Sequence, residues 1–243
     1  MTEFIRLDLG DIATITIDRP ERRNALNLDA LNELDATVTD AFDGGARCLI
    51  LAGAAGHFCA GADIKELEDL AFTQRLREVL DHVAELPIVT IARIEGSCMG
   101  LGMQLAVSVD VRVAAPDARF AVPVAKLGLM VDHWTLQRLV SGWGNGAARH
   151  MALTAEVLTA EDAFRLGFVQ QIGGTAEVQA IAERVTTLAP LSIAGTKLGL
   201  NLVDRKLDDP AFQEAFRAAW ESDDLAEGQR AFGERRAPEF RGR

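Results

Sequence analysis

The strongest constraint on this chain is an alternation. Short, predominantly apolar runs, RCLILAG (47–53), IVTIARI (88–94) and VRVAA (111–115), alternate with small-residue loops and helical stretches. A continuous apolar run, unlike one that is apolar at every second residue, fits a strand buried on both faces. Strand, loop and helix in repeated order argue for an α/β core of mainly parallel strands. Ahead of it, FIRLDL and IATITID flank a Gly-Asp turn and read as two more strands, with Ile15 and Ile17 on one face. A helix is predicted from about Leu28, with Asn27 as its N-cap and Leu31, Leu34, Val38 and Phe42 near one stripe, ended by Gly44-Gly45. A second helix is predicted over roughly residues 72–85. From residue 133 onward the pattern turns helical, beginning with HWTLQRLVSG and NGAARHMALT. Leu188-Ala189-Pro190 reads as a boundary between a core, 1–190, and a helical appendage, 191–243. The appendage offers Phe212, Phe216, Trp220 and Phe232 for burial on the core or on another subunit.

Composition removes several function classes. The net charge of −11 speaks against a sequence-independent grip on nucleic acid. No apolar run reaches 18 residues, so no transmembrane segment is expected, and MTEFIRLDLGD lacks the features of a secretory signal. Three cysteines, an odd number in a chain this large, fit a reducing cytoplasm. His57 and His82 have no metal-ligand companions in the pattern, so no metal site is expected. Arginine supplies 21 of the 25 basic residues, clustered at Arg19, Arg22 and Arg23 and again over 230–243. Such clusters suit a polyphosphate ligand, because guanidinium binds phosphate in a planar, bidentate way; solvated chain ends account for them equally well.

Two loops, GAAGHFCAGADIKEL (53–67) and EGSCMGLG (95–102), share one design. In each a buried strand ends, glycines permit close backbone approach, and a helix starts. Free N–H groups at such junctions attract developing negative charge, and two aimed at one point form an oxyanion hole. Glycines that merely allow tight turns explain the same strings.

The strings HFCAGADIKEL (57–67) and EGSCMGLGMQLAVSVDVRVAAPDARFAVP (95–123) resemble the enoyl-CoA hydratase/isomerase family, the crotonase superfamily. RPERRNALN (19–27), LTAEDAFRLGFVQQI (158–172) and AFGERRAPEF (231–240) carry the resemblance over nearly the whole chain. It implies a ClpP-like spiral of repeated ββα units with a C-terminal helical trimerisation region, assembled as a homotrimer or a dimer of trimers. It implies a coenzyme A thioester as substrate or ligand, with no permanently bound cofactor. The oxyanion amides fall at Ala62 and Leu101. CoA is expected against Ala60, Ala62 and Ile64, with Arg22 or Arg23, and with Phe232 and Arg235 of a neighbouring subunit.

The chain departs from that family where chemistry is done. Hydratases carry a Glu in G-G-G-x-E-L-A, and the matching residue here is Gln104; their second Glu, in Q-P-E-x-x-L-G, is matched by Val124. Gln cannot exchange protons usefully near neutral pH and Val cannot do so at all, so standard hydration is not expected. Asp132 is the remaining carboxylate candidate. Similar stretches in dienoyl-CoA isomerases and 4-chlorobenzoyl-CoA dehalogenases place a catalytic Asp there, and apolar neighbours such as Val124 and Trp134 would desolvate it. It also stands where a helix N-cap is expected. His133 reads as a surface or pocket-rim residue, and Trp134 as core or as the wall of an acyl pocket. Cys59 and Cys98 are small enough for their loops without any nucleophilic role. The chain further resembles hydratase-like members from mycolate-producing actinobacteria that lack the glutamate pair, for which binding or carrying long acyl-CoA is the expected role. The leading expectation is therefore a fatty acyl-CoA binder in lipid metabolism; the alternative is an isomerase, dehalogenase-like or otherwise atypical enzyme using Asp132.

Overall fold

The computed structural model describes residues 4–63, 70–203, 217, 220–236, 238 and 239, so Ile64, Phe212 and Phe216 lie outside the described residues. Strands β1 (Ile5–Asp8) and β2 (Ile12–Ile17) form an antiparallel hairpin, and Ala13, Ile15 and Ile17 face the core together. Next come β3 (Cys48–Gly53), β4 (Val89–Ile94), β6 (Val111–Ala114) and β9 (Gln171–Ile172), all parallel in a sheet of order β1-β2-β3-β4-β6-β9. Every residue of β3 is buried, as its uninterrupted apolar run predicts. A smaller sheet, β5-β7-β8, holds β5 (Ser97–Met99), β7 (Arg119–Ala121) and β8 (Leu158–Thr159).

A repeated unit underlies both layers. Strands β4 and β6 each lead into a short strand of the small sheet, β5 and β7, and then into α3 (Leu101–Ser108) and α4 (His133–Thr154). Two earlier turns do the same in miniature. Strand β2 leads to Leu26, bridged to Ala62, before α1 (Leu28–Asp43); β3 leads to Cys59, bridged to Cys98, before α2 (Leu70–Glu85). The result is the predicted α/β spiral of ββα turns. Helices α5 (Ala160–Arg165), α6 (Thr175–Thr186) and α7 (Pro190–Val203) follow, and a C-terminal helix spans Asp223–Glu234.

Local chemistry sets the helix limits. Asn27 accepts the Ala30 amide at 2.9 Å as the N-cap of α1. Its buried stripe runs Leu31, Leu34, Val38, Ala41, while Phe42 is 38% exposed, one residue past the turn that faces the core. The two helical stretches expected from residue 133 both lie within α4 and meet at Gly144, whose φ of +75° and ψ of 154° break the helix between them. Of the aromatics offered for burial on the core or on another subunit, Phe232 is 51% exposed on its own chain, whereas Trp220 packs partly buried on the core.

Helix α2 is tied to α1 by Asp35, whose two oxygens receive His82 Nδ1 and Arg75 Nη2, each at 2.6 Å. Burial pushes this carboxyl up, but the hydrogen bonds from His82 and Arg75 together outweigh it and hold it below the usual carboxylate range. A depressed folded-state pKa stabilises the fold above the ordinary Asp value, and that contribution is lost as pH falls through the folded value. The variant D35N is expected to be less stable than wild type at neutral pH by about 1 kcal/mol. Urea denaturation across the acid range should show that gap closing as pH falls; a gap independent of pH would disprove the clamp.

Candidate active site

Backbone pairing brings the two small-residue loops side by side. Phe58 N donates to Glu95 O (2.8 Å), Cys59 N to Ser97 O (2.9 Å), and Met99 N back to Cys59 O (3.0 Å). The approach is closest at Gly102, where a Cβ would stand 2.2 Å from the Cys59 carbonyl oxygen. Glycines at positive φ then turn each loop, Gly61 at +127° and Gly100 at +52°, and the next residues are Ala62 and Leu101.

The amides of those two residues are left over by the pairing. Leu26 N donates to Gly61 O and Asp63 N to Leu26 O, which turns the intervening Ala62 N–H the opposite way, as along any strand. Leu101 is the first residue of α3, where an N–H has no partner within the helix. Among the described residues no carbonyl receives either amide. Both residues line one cavity of about 120 Å³, to which Ala60, Gln104, Val124 and Asp132 also contribute.

The remaining wall is apolar. Phe72, Leu76 and Leu80, four residues apart on α2, form one side; Leu127, Leu129 and Val131 form another, and Trp220 closes it from the C-terminal region. The spacing of 72, 76 and 80 was visible in the sequence as a helix stripe, but not that this stripe roofs a cavity. Arg77, also in the wall, was not foreseen. Its guanidinium bonds Asp81 Oδ2 at 2.8 Å and Asp132 Oδ2 at 3.2 Å.

Asp132 is the N-cap of α4: its Oδ1 accepts the Thr135 amide at 2.9 Å. The cap is as expected, and Arg77 on the other oxygen, which was not, leaves both halves of the carboxylate engaged. Its neighbours His133 and Trp134 do not line the cavity. Trp134 lies instead beneath two guanidinium groups, Arg77 at 4.8 Å and Arg138 at 4.5 Å from the ring centre. Gln104 is buried and donates Nε2–H to the Thr135 hydroxyl at 3.0 Å.

The first arginine cluster is tied to the loop that carries Ala62. Asp63, buried, holds Arg19 at 3.4 Å and Arg22 at 3.9 Å. Arg22 and Arg23 are exposed, and the Arg23 carbonyl accepts the Ala60 amide at 3.0 Å. Phe232 and Arg235, exposed at the end of the C-terminal helix, do not line their own chain's cavity. Burial pushes the Cys59 thiol up to about 12 and raises Cys98 well above its usual value, which leaves both as packing groups at neutral pH. Among the described residues no cluster of His, Cys, Asp or Glu could hold a metal ion.

The family model for enoyl-CoA hydratase/isomerase matches residues 9–243. A probable enoyl-CoA hydratase, echA6, of Mycobacterium tuberculosis is 43% identical over 234 residues, covering 95% of this chain and 96% of that one. A methylmalonyl-CoA decarboxylase in complex with 2-nitronate-propionyl-CoA superposes with a TM-score of 0.91 at 26% identity, over 100% of both chains. An enoyl-CoA hydratase from Mycobacterium avium subsp. paratuberculosis K-10 gives 0.88 at 28% identity, over 98% of both.

Proposed function

The chain belongs to the enoyl-CoA hydratase/isomerase family, and we propose that within it the protein binds fatty acyl-CoA without carrying out standard hydration. The observation that carries this reading is the cavity itself. Ala62 and Leu101, whose amides no backbone carbonyl receives among the described residues, line one largely apolar space with Gln104 and Val124, the residues that the family resemblance matches to the hydratase acid/base pair. The amides are suited to a thioester oxygen and the wall to an alkyl chain. Decarboxylase neighbours with CoA-thioester ligands on the same backbone support the ligand class. A cavity of about 120 Å³ is somewhat smaller than the roughly 150 Å³ cavity that accommodates benzene. The described walls therefore enclose only the part of the acyl group near the thioester.

In this reading the nucleotide end of CoA runs along Ala60, Ala62 and Ile64 to Arg22 and Arg23, and is completed by Phe232 and Arg235 of an adjacent subunit. The assembly is a homotrimer or dimer of trimers through the region 191–243. Exposed Leu191, Leu198 and Leu200 on α7 support an interface there. The protein works in the cytoplasm, with the CoA thioester as its ligand, no permanent cofactor and no nucleic-acid partner. Among the described residues no helix is long and apolar enough to cross a membrane.

Two enzymatic readings compete. One uses Asp132 as base, supported by its place in the cavity wall. The other is decarboxylation: loss of CO2 from a malonyl-type thioester leaves its electron pair on the enolate, which two amides stabilise without any base, and solvent then protonates carbon. The resemblance to methylmalonyl-CoA decarboxylase favours that chemistry over isomerisation.

Incubation with saturated, 2-enoyl, 3-enoyl, dienoyl and methylmalonyl CoA esters in heavy water separates the readings. Thioesters retained unchanged are the expected result; added water, deuterium, a moved double bond or lost CO2 would establish an enzyme. The variant D132N is expected to keep acyl-CoA affinity within about twofold, because Asn caps a helix as well as Asp. Turnover in wild type that D132N abolishes, with affinity kept, would move the assignment to Asp132 catalysis.

A further inference from the structure

Ala62 is held by an isolated bridge to Leu26, not by a ladder. Leu26 N donates to Gly61 O at 3.0 Å and Asp63 N to Leu26 O at 2.8 Å. The direction of the Ala62 N–H between them is therefore only as firm as Leu26 and Asp63 themselves, and both lead to one side chain. Arg19, 6% exposed, donates Nη1–H at 2.5 Å to the carbonyl of Ala25, the residue before Leu26. Its Nη2–H donates to Asp63 Oδ2 at 3.4 Å, and Asp63 is equally buried. The guanidinium lies 4.8 Å from the Phe4 ring centre. The backbone of Arg19 is held in turn by Asn24, whose Oδ1 accepts its amide at 3.0 Å. Asn24 Nδ2 donates to Ala54 O at 2.9 Å and His57 O at 2.6 Å, both on the loop that continues to Ala62. The intervening turn is left-handed at two successive residues, Arg23 at φ +49° and Asn24 at φ +61°, and neither is glycine. Such a conformation persists only where the surroundings enforce it.

We infer that the buried Arg19–Asp63 pair positions the Ala62 amide for the thioester oxygen, with Asp63 as the positioning residue and Arg19 as its anchor. The inference rests on the acyl-CoA reading and deepens it. A buried ion pair gains little net stability over apolar groups of the same volume, although loss of one partner is costly. What this pair adds is direction, because a planar guanidinium forked between a carbonyl and a carboxylate fixes angle as well as distance. The fork closes a ring from Ala25 through Arg19 to Asp63 and back through Leu26, and Ala62 is spanned by it. Neither charged side chain lines the cavity, so the pair acts through the backbone. A hydrogen bond weakens steeply as its angle closes. A modest turn of the peptide at Ala62 therefore costs ligands that carry a thioester carbonyl and spares those that do not.

Calorimetric titration with butanoyl-CoA and with S-butyl-CoA, the thioether without the carbonyl, separates these effects. Both carry the same CoA, so any change in Arg22, which stands 3.9 Å from Asp63, cancels in their ratio. Wild type is expected to prefer butanoyl-CoA by about tenfold, the worth of two modest hydrogen bonds. The variant D63N, which leaves Arg19 without its counter-charge, should reduce that preference to about twofold or less. The infrared carbonyl stretch of bound butanoyl-CoA, labelled with carbon-13 at the thioester, should then lie at higher frequency than in wild type. The double variant R19M/D63N leaves no charge of the pair buried and unpaired, so it is expected to denature near the wild-type midpoint with the preference still lost. A double variant with the wild-type preference and carbonyl stretch would overturn the inference, since the pair would then serve the fold alone. A wild type that binds both ligands equally would overturn it too, while leaving the acyl-CoA reading in place. Binding of neither ligand to wild type would overturn both.

Discussion

The double variant Q104E/V124E is expected to convert 2-enoyl-CoA into 3-hydroxyacyl-CoA, a reaction for which, on the proposed reading, Gln104 and Val124 supply no proton-handling group. The two amides, the apolar wall and the entrance are already present. What is absent is a group to take a proton from water as its oxygen adds to the third carbon, and a group to deliver one to the second. Each such group is typically worth about 10²–10⁴ in rate. Position 104 accepts the change readily: Glu has the shape of Gln, and the Thr135 hydroxyl can donate to a carboxylate oxygen instead of accepting from Nε2. Position 124 is only half-buried, on the 3-10 turn Pro123–Leu127, so a longer side chain has room at the cavity edge. A carboxyl placed among these apolar neighbours is pushed up toward the range where it can donate as well as accept. Mass spectrometry in heavy-oxygen water reads the product directly. Either single variant should remain at least about 100-fold slower than the double, because each lacks one transfer. Comparable hydration by wild type would refute the argument from the missing glutamates. A double variant that binds acyl-CoA but never hydrates it would show that the amides are not aimed for this chemistry.

The sequence carried most of the architecture because burial leaves a mark on composition. The unbroken apolar run of β3, the Asn27 cap and the Gly44-Gly45 stop are local signals, and each element lies where its signal stood. The gathering of Ala62, Leu101, Gln104, Val124 and Asp132 around one space is not local. Composition and spacing say only that two glycine loops could face each other; the family resemblance supplied their joint placement. Other features escaped because they depend on direction within a helix or on contacts between distant segments. Trp134 is apolar and two residues from Asp132, yet its ring lies against the guanidinium groups of Arg77 and Arg138. Phe42 sits one position from the buried stripe, and Ala41 takes its place in the core. Arg77 and Trp220 enter the wall from α2 and from the C-terminal region, 55 and 88 positions from Asp132 in sequence. No pattern in either segment announces that meeting.

Gly102→Ala is the smallest change expected to disable the site without touching any of its polar groups. Its added Cβ would lie 2.2 Å from the Cys59 carbonyl oxygen and 2.9 Å from the Cys59 Cβ, distances that force one loop away from the other. Neither neighbour is the free end of a flexible side chain. The Cys59 carbonyl is fixed by the Met99 amide at 3.0 Å, and the Cys59 amide by Ser97 at 2.9 Å, so the strain spreads through the pairing that holds both loops. Overpacking of this kind costs typically about 1–3 kcal/mol, which should lower the denaturation midpoint while leaving the fold intact. Ligand binding should fall by more than stability alone explains. Ala62 lies three residues beyond Cys59 and Leu101 immediately before position 102, so any separation of the loops parts the two amides that the proposed reading aims at one thioester oxygen. The expected signature is at least a tenfold loss in acyl-CoA affinity at a temperature where circular dichroism shows the variant fully folded, which corresponds to about 1.4 kcal/mol or more. An unchanged affinity with a lowered midpoint would mean that the loops move as one body and that their contact supports only the fold. Unchanged values of both would contradict the close approach at Gly102 itself.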